Sequence, residues 1–198
     1  EFRGRGDVIH LYPLTFKEYL EAFDGDKDDA WNDYVLYGGL PYTLLCETEE
    51  DKAEYLKNLY KETYLDDIKE RRNIKNEQLL NDILDVLSSQ IGSLTNPTRL
   101  TNIINDRYLK ESKNKEEDLV NKNTVDSYIG FIEDSFLINK AQRYDIKGNY
   151  YINSPYKYYY EDIGLRNARL NFRQIDDGHI MENIIYNELI ARRDNVDI

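Results

Sequence analysis

Two arginines near the start of the sequence are the first residues whose type and position could do chemistry. Arg3 and Arg5 stand in "EFRGRGDVIHLY", just before residues 8–12, whose alternating apolar and polar side chains predict a strand that Pro13 ends. In that place their guanidinium groups could reach the phosphates of a nucleotide bound by a preceding segment, as an arginine finger does. The two residues could equally be an ordinary surface pair. The nearby glycines do not form a phosphate loop, because no Gly-Lys-Ser/Thr follows them.

Two glutamates near the other end, Glu182 and Glu188, are the next candidates for chemistry. They lie in "MENIIYNELI", which predicts a helix, and their spacing of six residues points them to different faces, so they are not an acid–base pair. A single helix carboxylate can contribute to a metal-dependent nuclease when other strands bring an Asp and a Glu-x-Lys to the same ion. The sequence contains no such strands after this helix, so it predicts no catalytic residue and no metal site.

The net charge of −12 over 198 residues restricts the partners that this chain can bind. A surface that binds a phosphate backbone concentrates Lys and Arg, so any nucleic-acid site must be a local patch. No apolar run approaches the roughly 18 residues that would span a bilayer. The single cysteine, Cys46, excludes an internal disulfide and is typical of a reducing compartment. These features predict a folded, cytoplasmic protein without a membrane partner.

Three predicted helices followed by a hairpin, over residues 76–160, have the order of a winged helix-turn-helix. The helices lie in "EQLLNDILDVLSSQIG", "TNPTRLTNIIND" and "NTVDSYIGFIEDSF". Three short strands follow, with a hairpin turn at residues 147–149. Together with helical patterns before and after this region, they predict a mainly α fold with a small β component.

The third of these helices is predicted over residues 124–135, after an Asn123 cap. Its residues distinguish two possible functions of the winged helix. Apolar residues at helical spacing predict a buried face made of Val125, Ile129, Ile132 and Phe136. The other face carries Asp126, Glu133 and Asp134 and no Lys or Arg. These carboxylates would repel phosphate, so the helix is better suited to packing or to binding a protein. The alternative is a DNA-binding winged helix that contacts duplex phosphates through its wing. The candidate cations for that contact are Lys122, Lys140, Arg143 and Lys147.

Several stretches of the sequence, taken in order, resemble the landmarks of a large family of prokaryotic AAA-type ATPases. They are "FRGRGDVIHLYPLTFKEYL", "YVLYGGLPY", "NTVDSYIGFIEDSFLINKAQRYDIKG", "KYYYEDIGLRNARL" and "HIMENIIYNEL". In that family an ATPase core is followed by a C-terminal region of unknown function with a winged helix and a restriction-endonuclease-like end. The resemblance covers nearly the whole chain.

The resemblance implies four parts: the end of an ATPase core (1–14), a helical lid (15–72), the winged helix (76–160) and the truncated start of a nuclease-like α/β domain (161–198). It places Arg3 and Arg5 among the arginines that close the core, and Glu182 at the acid of the first nuclease-like helix. ATP and Mg²⁺ are then implied for a longer parent protein and no cofactor for this fragment. The fragment is expected to be an inactive regulatory or interaction module, with the ATPase core of the same protein as partner, and a protein or duplex DNA as a further one.

Overall fold

Short helices and one antiparallel pair of strands make up the structure, a computed structural model that describes residues 10–111, 119–142, 155–173 and 177–192. The fold is mainly helical with a small β component, as the sequence predicts. In chain order the elements are α1 (Phe16–Ala22), α2 (Lys27–Tyr37), a 3-10 helix (Pro41–Leu45), α3 (Glu49–Asn58), a π-helical segment (Leu59–Leu65), α4 (Asp66–Arg72), α5 (Glu77–Ser89), α6 (Pro97–Glu111), α7 (Lys122–Asp134), β1 (Ile138–Gln142), β2 (Tyr156–Tyr160), α8 (Ile163–Arg169) and α9 (Asp177–Ala191). Among the described residues, none of the helices has the length and apolar character that crossing a membrane requires.

Local caps determine where several helices begin and end. The Thr15 hydroxyl accepts the Glu18 N–H while the Glu18 carboxylate accepts the Thr15 N–H, which is the capping box expected for Thr-x-x-Glu. Gly38 ends α2 with a φ of 77°, a conformation that glycine adopts without steric cost. The predicted cap of α7 is wrong by two residues: Asn121, not Asn123, accepts the Thr124 N–H at 2.9 Å.

The segment before α1 crosses several elements without joining a sheet. Its described residues, 10–15, form no strand, so the predicted strand at 8–12 is wrong where the structure describes it. Three contacts to different elements hold this segment: His10 Nε2 lies 2.8 Å from Glu161 Oε1, Leu14 N–H donates to the Gly39 carbonyl at 2.8 Å, and Phe16 N–H donates to Glu188 Oε1 at 2.6 Å. Because these partners are scattered, no ladder to a single neighbouring strand forms.

The sheet joins the end of α7 to the start of α8. β1 and β2 are antiparallel, with Ile138 opposite Tyr160 and Gln142 opposite Tyr156. Thr95, between α5 and α6, adds an isolated antiparallel bridge to Tyr156, with N–H to carbonyl distances of 2.8 and 2.7 Å. The hairpin turn predicted at residues 147–149 lies outside the described residues.

One hydrophobic core runs through the described helices from α1 to α9. Six consecutive residues of α8 are buried in it, and two of their polar side chains bind other helices. Asn167 Nδ2 donates to the carbonyls of Val35 and Leu36 in α2, at 3.0 and 2.9 Å. Arg166 Nε donates to the Ser88 carbonyl in α5 at 2.9 Å. The helix that follows the predicted winged helix therefore ties that region to the predicted lid.

Candidate functional site

Two of the predicted DNA-contacting cations, Lys122 and Lys140, lie among the residues that the structure describes. Lys122 is the first residue of α7 and is exposed. Lys140 is exposed in β1, and its Nζ lies 4.2 Å from the centre of the Tyr156 ring. The charge of Lys140 also acts on Glu133, in the last turn of α7, and opposes the rise in the pKa of that carboxyl that burial causes. The other two DNA-contact candidates, Arg143 and Lys147, and the two nucleotide-contact candidates, Arg3 and Arg5, lie outside the described residues.

The face of α7 that packs on the core differs from the prediction at two residues, Phe136 and Tyr128. Three of its predicted residues are buried: Val125, Ile129 and Ile132. The prediction for Phe136 is wrong, because 57% of its surface is exposed. α7 ends at Asp134, and Phe136 then adopts a φ of 59°, so the residue leaves the helical face. Tyr128, one turn from Val125 and Ile132, is buried in this face instead.

The open face of α7 is acidic, and its last turn contacts another helix. Asp126 and Asp134 are exposed, and Glu133 is half-buried with a pKa that burial raises. The Asp134 carboxylate accepts a hydrogen bond from Arg72 of α4 at 2.5 Å. The same guanidinium group lies 5.1 Å from the centre of the Phe131 ring. The exposed positions of α7 therefore carry carboxylates, and Arg72 of α4 contacts its last turn.

Glu182, the predicted helix acid, pairs with β2. Its Oε1 accepts hydrogen bonds from Lys157 Nζ and from the Tyr159 hydroxyl, the latter at 2.6 Å, and His179 Nδ1 lies 3.9 Å from its Oε2. Burial acts to raise the pKa of Glu182, but these hydrogen bonds and the Lys157 charge outweigh burial and lower it. Glu188 instead accepts the first N–H of α1, so the two carboxylates, which were predicted to point to different faces of the helix, contact different elements. Within the described ranges, no three or more His, Cys, Asp or Glu residues are grouped so that they could hold a metal ion.

Asp162 is a buried acidic residue that the sequence analysis did not single out. Its carboxylate caps α8 by accepting the Leu165 N–H at 3.1 Å, and it also accepts the Gly39 N–H, beyond the end of α2, at 2.7 Å. Burial raises the pKa of Asp162 to about 6, and the backbone N–H groups around it act against that rise. One carboxylate thus joins two parts of the chain that are 123 residues apart.

Glycines make the close approach around Asp162 possible. A Cβ atom on Gly38 would overlap the Asp162 carboxylate, and a Cβ atom on Gly164 would overlap the Tyr37 carbonyl. The sequence does contain signals for this junction. An Asp three residues before Leu165 is a helix-capping pattern, and the Gly38-Gly39 pair marks a sharp turn.

Comparison with known proteins relates most of this chain to a domain of unknown function (DUF8612), whose family model matches residues 28–176. A Haemophilus influenzae protein described as uncharacterized is 30% identical over 200 residues, which cover 98% of this chain and 48% of that protein. An uncharacterized protein of Methanocaldococcus jannaschii is 24% identical over 202 residues, which cover 96% of this chain and 43% of that protein. The chain therefore spans about half the length of the curated relatives it matches. No solved structure matches it.

Proposed function

We propose that this chain, which belongs to the family of the domain of unknown function DUF8612, is a regulatory or interaction module with a winged helix in a longer AAA-type ATPase. The element order supports the winged helix: α5, a single strand-like residue at Thr95, α6, α7, then β1 and β2. Thr95 pairs with Tyr156 on the free side of β2, where a third strand of such a sheet would lie.

The observation that supports the interaction role is which faces of α7 are buried, which are exposed, and which helix it contacts. A winged helix that reads DNA presents hydrogen-bond donors of this helix to base edges and phosphates. Here the helix buries its apolar face, exposes Asp126 and Asp134, and contacts α4 through Arg72. The Asp126 carboxylate would repel a phosphate backbone, and the Asp134 carboxylate is already paired with Arg72. The arrangement supports packing within the protein rather than base reading.

If the chain is a module of a longer ATPase, ATP should bind to the longer polypeptide and not to the 198-residue chain alone. The 198-residue chain should neither bind nor hydrolyse ATP, because no segment of it combines a phosphate loop with a magnesium carboxylate. The longer polypeptide should bind ATP, and deleting residues 10–192 from it should change its ATP affinity by about 5-fold or more, the usual lower range for coupled sites. Isothermal titration calorimetry of the three proteins measures this. Saturable micromolar binding by the 198-residue chain, or an unchanged affinity after the deletion, would contradict the proposal.

Contact with duplex DNA through the wing is the second candidate function. Lys122 and Lys140 are exposed, and each phosphate contact they made would add to the salt dependence of binding. The helix that begins at Lys122 exposes the carboxylates of Asp126 and Asp134, which oppose such a contact. A contact of this kind would therefore be weak and independent of sequence.

A further inference from the structure

A groove lies between two parts of the helical fold: α4 with the π-helical segment before it, and the last turn of α7 with the residues after it. Its volume is about 380 Å³, within the lower part of the roughly 300–1,000 Å³ typical of ligand sites. We call it the α4–α7 groove. Its apolar walls are formed by Tyr64, Ile68, Phe131 and Phe136.

Two backbone irregularities border this groove. On one side the π-helical segment Leu59–Leu65 contributes Thr63 and Tyr64, and π-helical turns are rare and frequent at functional sites. On the other side Phe136 holds a φ of 59°, a conformation that bulky side chains seldom adopt. Both features cost stability, and such strain concentrates at binding surfaces.

The apolar surface of the groove continues onto the segment before α1. The His10 ring lies 5.1 Å from the Phe136 ring and 4.3 Å from the Tyr12 ring, measured between centroids. Phe136 is 57% exposed and Leu11 is 87% exposed. The rings of Phe136, His10 and Tyr12 thus form a partly exposed aromatic patch, and such patches mark interaction sites.

The charged groups at the groove indicate what kind of group it accepts. Arg71 Nε pairs with Asp67 at 2.7 Å, and Arg72 pairs with Asp134. Each cation is thus matched by a carboxylate, so the groove offers no excess of charge to a phosphate or an acidic peptide. Its apolar walls instead suit an uncharged apolar side chain.

We propose that the α4–α7 groove is the docking site of the ATPase core of the same polypeptide, which seats an apolar side chain between Phe136 and Tyr64. This inference rests on the proposed function, in which that core precedes the chain. His10, the first residue that the structure describes, lies against Phe136, so a segment that precedes it is joined to the fold beside the groove. The relatives are about twice as long as the matched region, which leaves room for such a part. Covalent linkage gives it a millimolar effective concentration, so even a shallow groove can be filled.

Hydrogen exchange of backbone amides tests the docking. Amides of residues 63–72 and 131–136 should exchange about 10-fold more slowly in the longer polypeptide than in the 198-residue chain. Phe136→Glu should abolish this protection, because it places a charge in the apolar site. Leu45→Glu is the matched control: Leu45 is 74% exposed, does not line the groove, and should leave the protection intact.

Each other outcome refutes a definite part of the proposal. Equal exchange in both proteins, or protection that survives Phe136→Glu, would overturn docking of the core. Protection of the 198-residue chain that increases with its concentration would make a second copy the occupant. Protection in a longer polypeptide that does not bind ATP would keep the docking and refute the ATPase assignment. ATP binding without protection would refute the docking alone.

Discussion

Replacing Asp162 with alanine should lower the free energy of unfolding by about 2–6 kcal/mol, since two buried N–H groups lose their acceptor at about 1–3 kcal/mol each. These are the N–H groups of Gly39 and Leu165, which belong to different parts of the fold. The raised pKa of Asp162, about 6, shows that burying its charge itself costs stability. The expected loss therefore comes from the unpaired N–H groups. Urea unfolding followed by circular dichroism at pH 7 measures it.

Asp26→Ala is the matched control for this substitution. Asp26 also accepts two backbone N–H groups, those of Asp28 and Asp29, both at 2.9 Å, but it is exposed and both donors belong to one helix. Its loss should cost about 0.5–2 kcal/mol, as for an ordinary helix cap. If Asp162→Ala cost no more than Asp26→Ala, the hydrogen bonds of Asp162 that join α8 to the end of α2 would stabilise the fold no more than an ordinary helix cap does.

Replacing Asp33 with alanine should cost about 3–5 kcal/mol, because it leaves the charge of Lys52 without a partner in a mostly buried site. Lys52 Nζ lies 2.8 and 2.7 Å from the two Asp33 carboxylate oxygens, and only 12% and 13% of the two side chains is exposed. The Phe23 and Tyr37 rings lie 5.9 and 5.3 Å from the same ammonium group, which limits its access to water. The midpoint of urea unfolding reports the loss.

Two variants separate the buried charge from a general effect of losing a carboxylate. Asp67→Ala removes the partner of Arg71 in an exposed ion pair and should cost about 0–1 kcal/mol. Asp33→Leu combined with Lys52→Met removes both charges, so it should cost less than Asp33→Ala; the remaining loss, about 1–3 kcal/mol, comes from the Tyr19 hydroxyl, which donates to Asp33 in the native protein. A loss from Asp33→Ala as small as that from Asp67→Ala would show that Lys52 is not confined as described.

Local patterns in the sequence predict much of the helical structure. The capping box at Thr15, the helix end at Gly38 and the buried residues Val125, Ile129 and Ile132 all depend on neighbours within a few positions. Phe136 was predicted wrongly because its burial depends on where α7 stops, and helix ends are set within one turn by competing caps.

Features that depend on distant partners could not be predicted in the same way. The capping pattern at Asp162 reveals its bond to Leu165, but not its bond to Gly39 or its complete burial. Arg166, a residue type that is mostly exposed, is buried in the core, where it donates to the Ser88 carbonyl. The π-helical segment has no local signature in an otherwise regular helical pattern.

The central claim, that α7 packs rather than reads DNA, is tested most directly by titrating labelled duplex DNA with the 198-residue chain over a range of salt concentrations. The account predicts no saturable binding at about 0.15 M salt, and Asp126→Ala with Glu133→Ala should leave any low-salt affinity unchanged or stronger. If the wing makes a weak contact, Lys122→Ala with Lys140→Ala should make the salt dependence weaker: the negative slope of log K against log salt should decrease in magnitude by about 2. Sequence-specific binding that the Asp126→Ala, Glu133→Ala variant destroys would contradict the account, because the acidic helix would then be the reader.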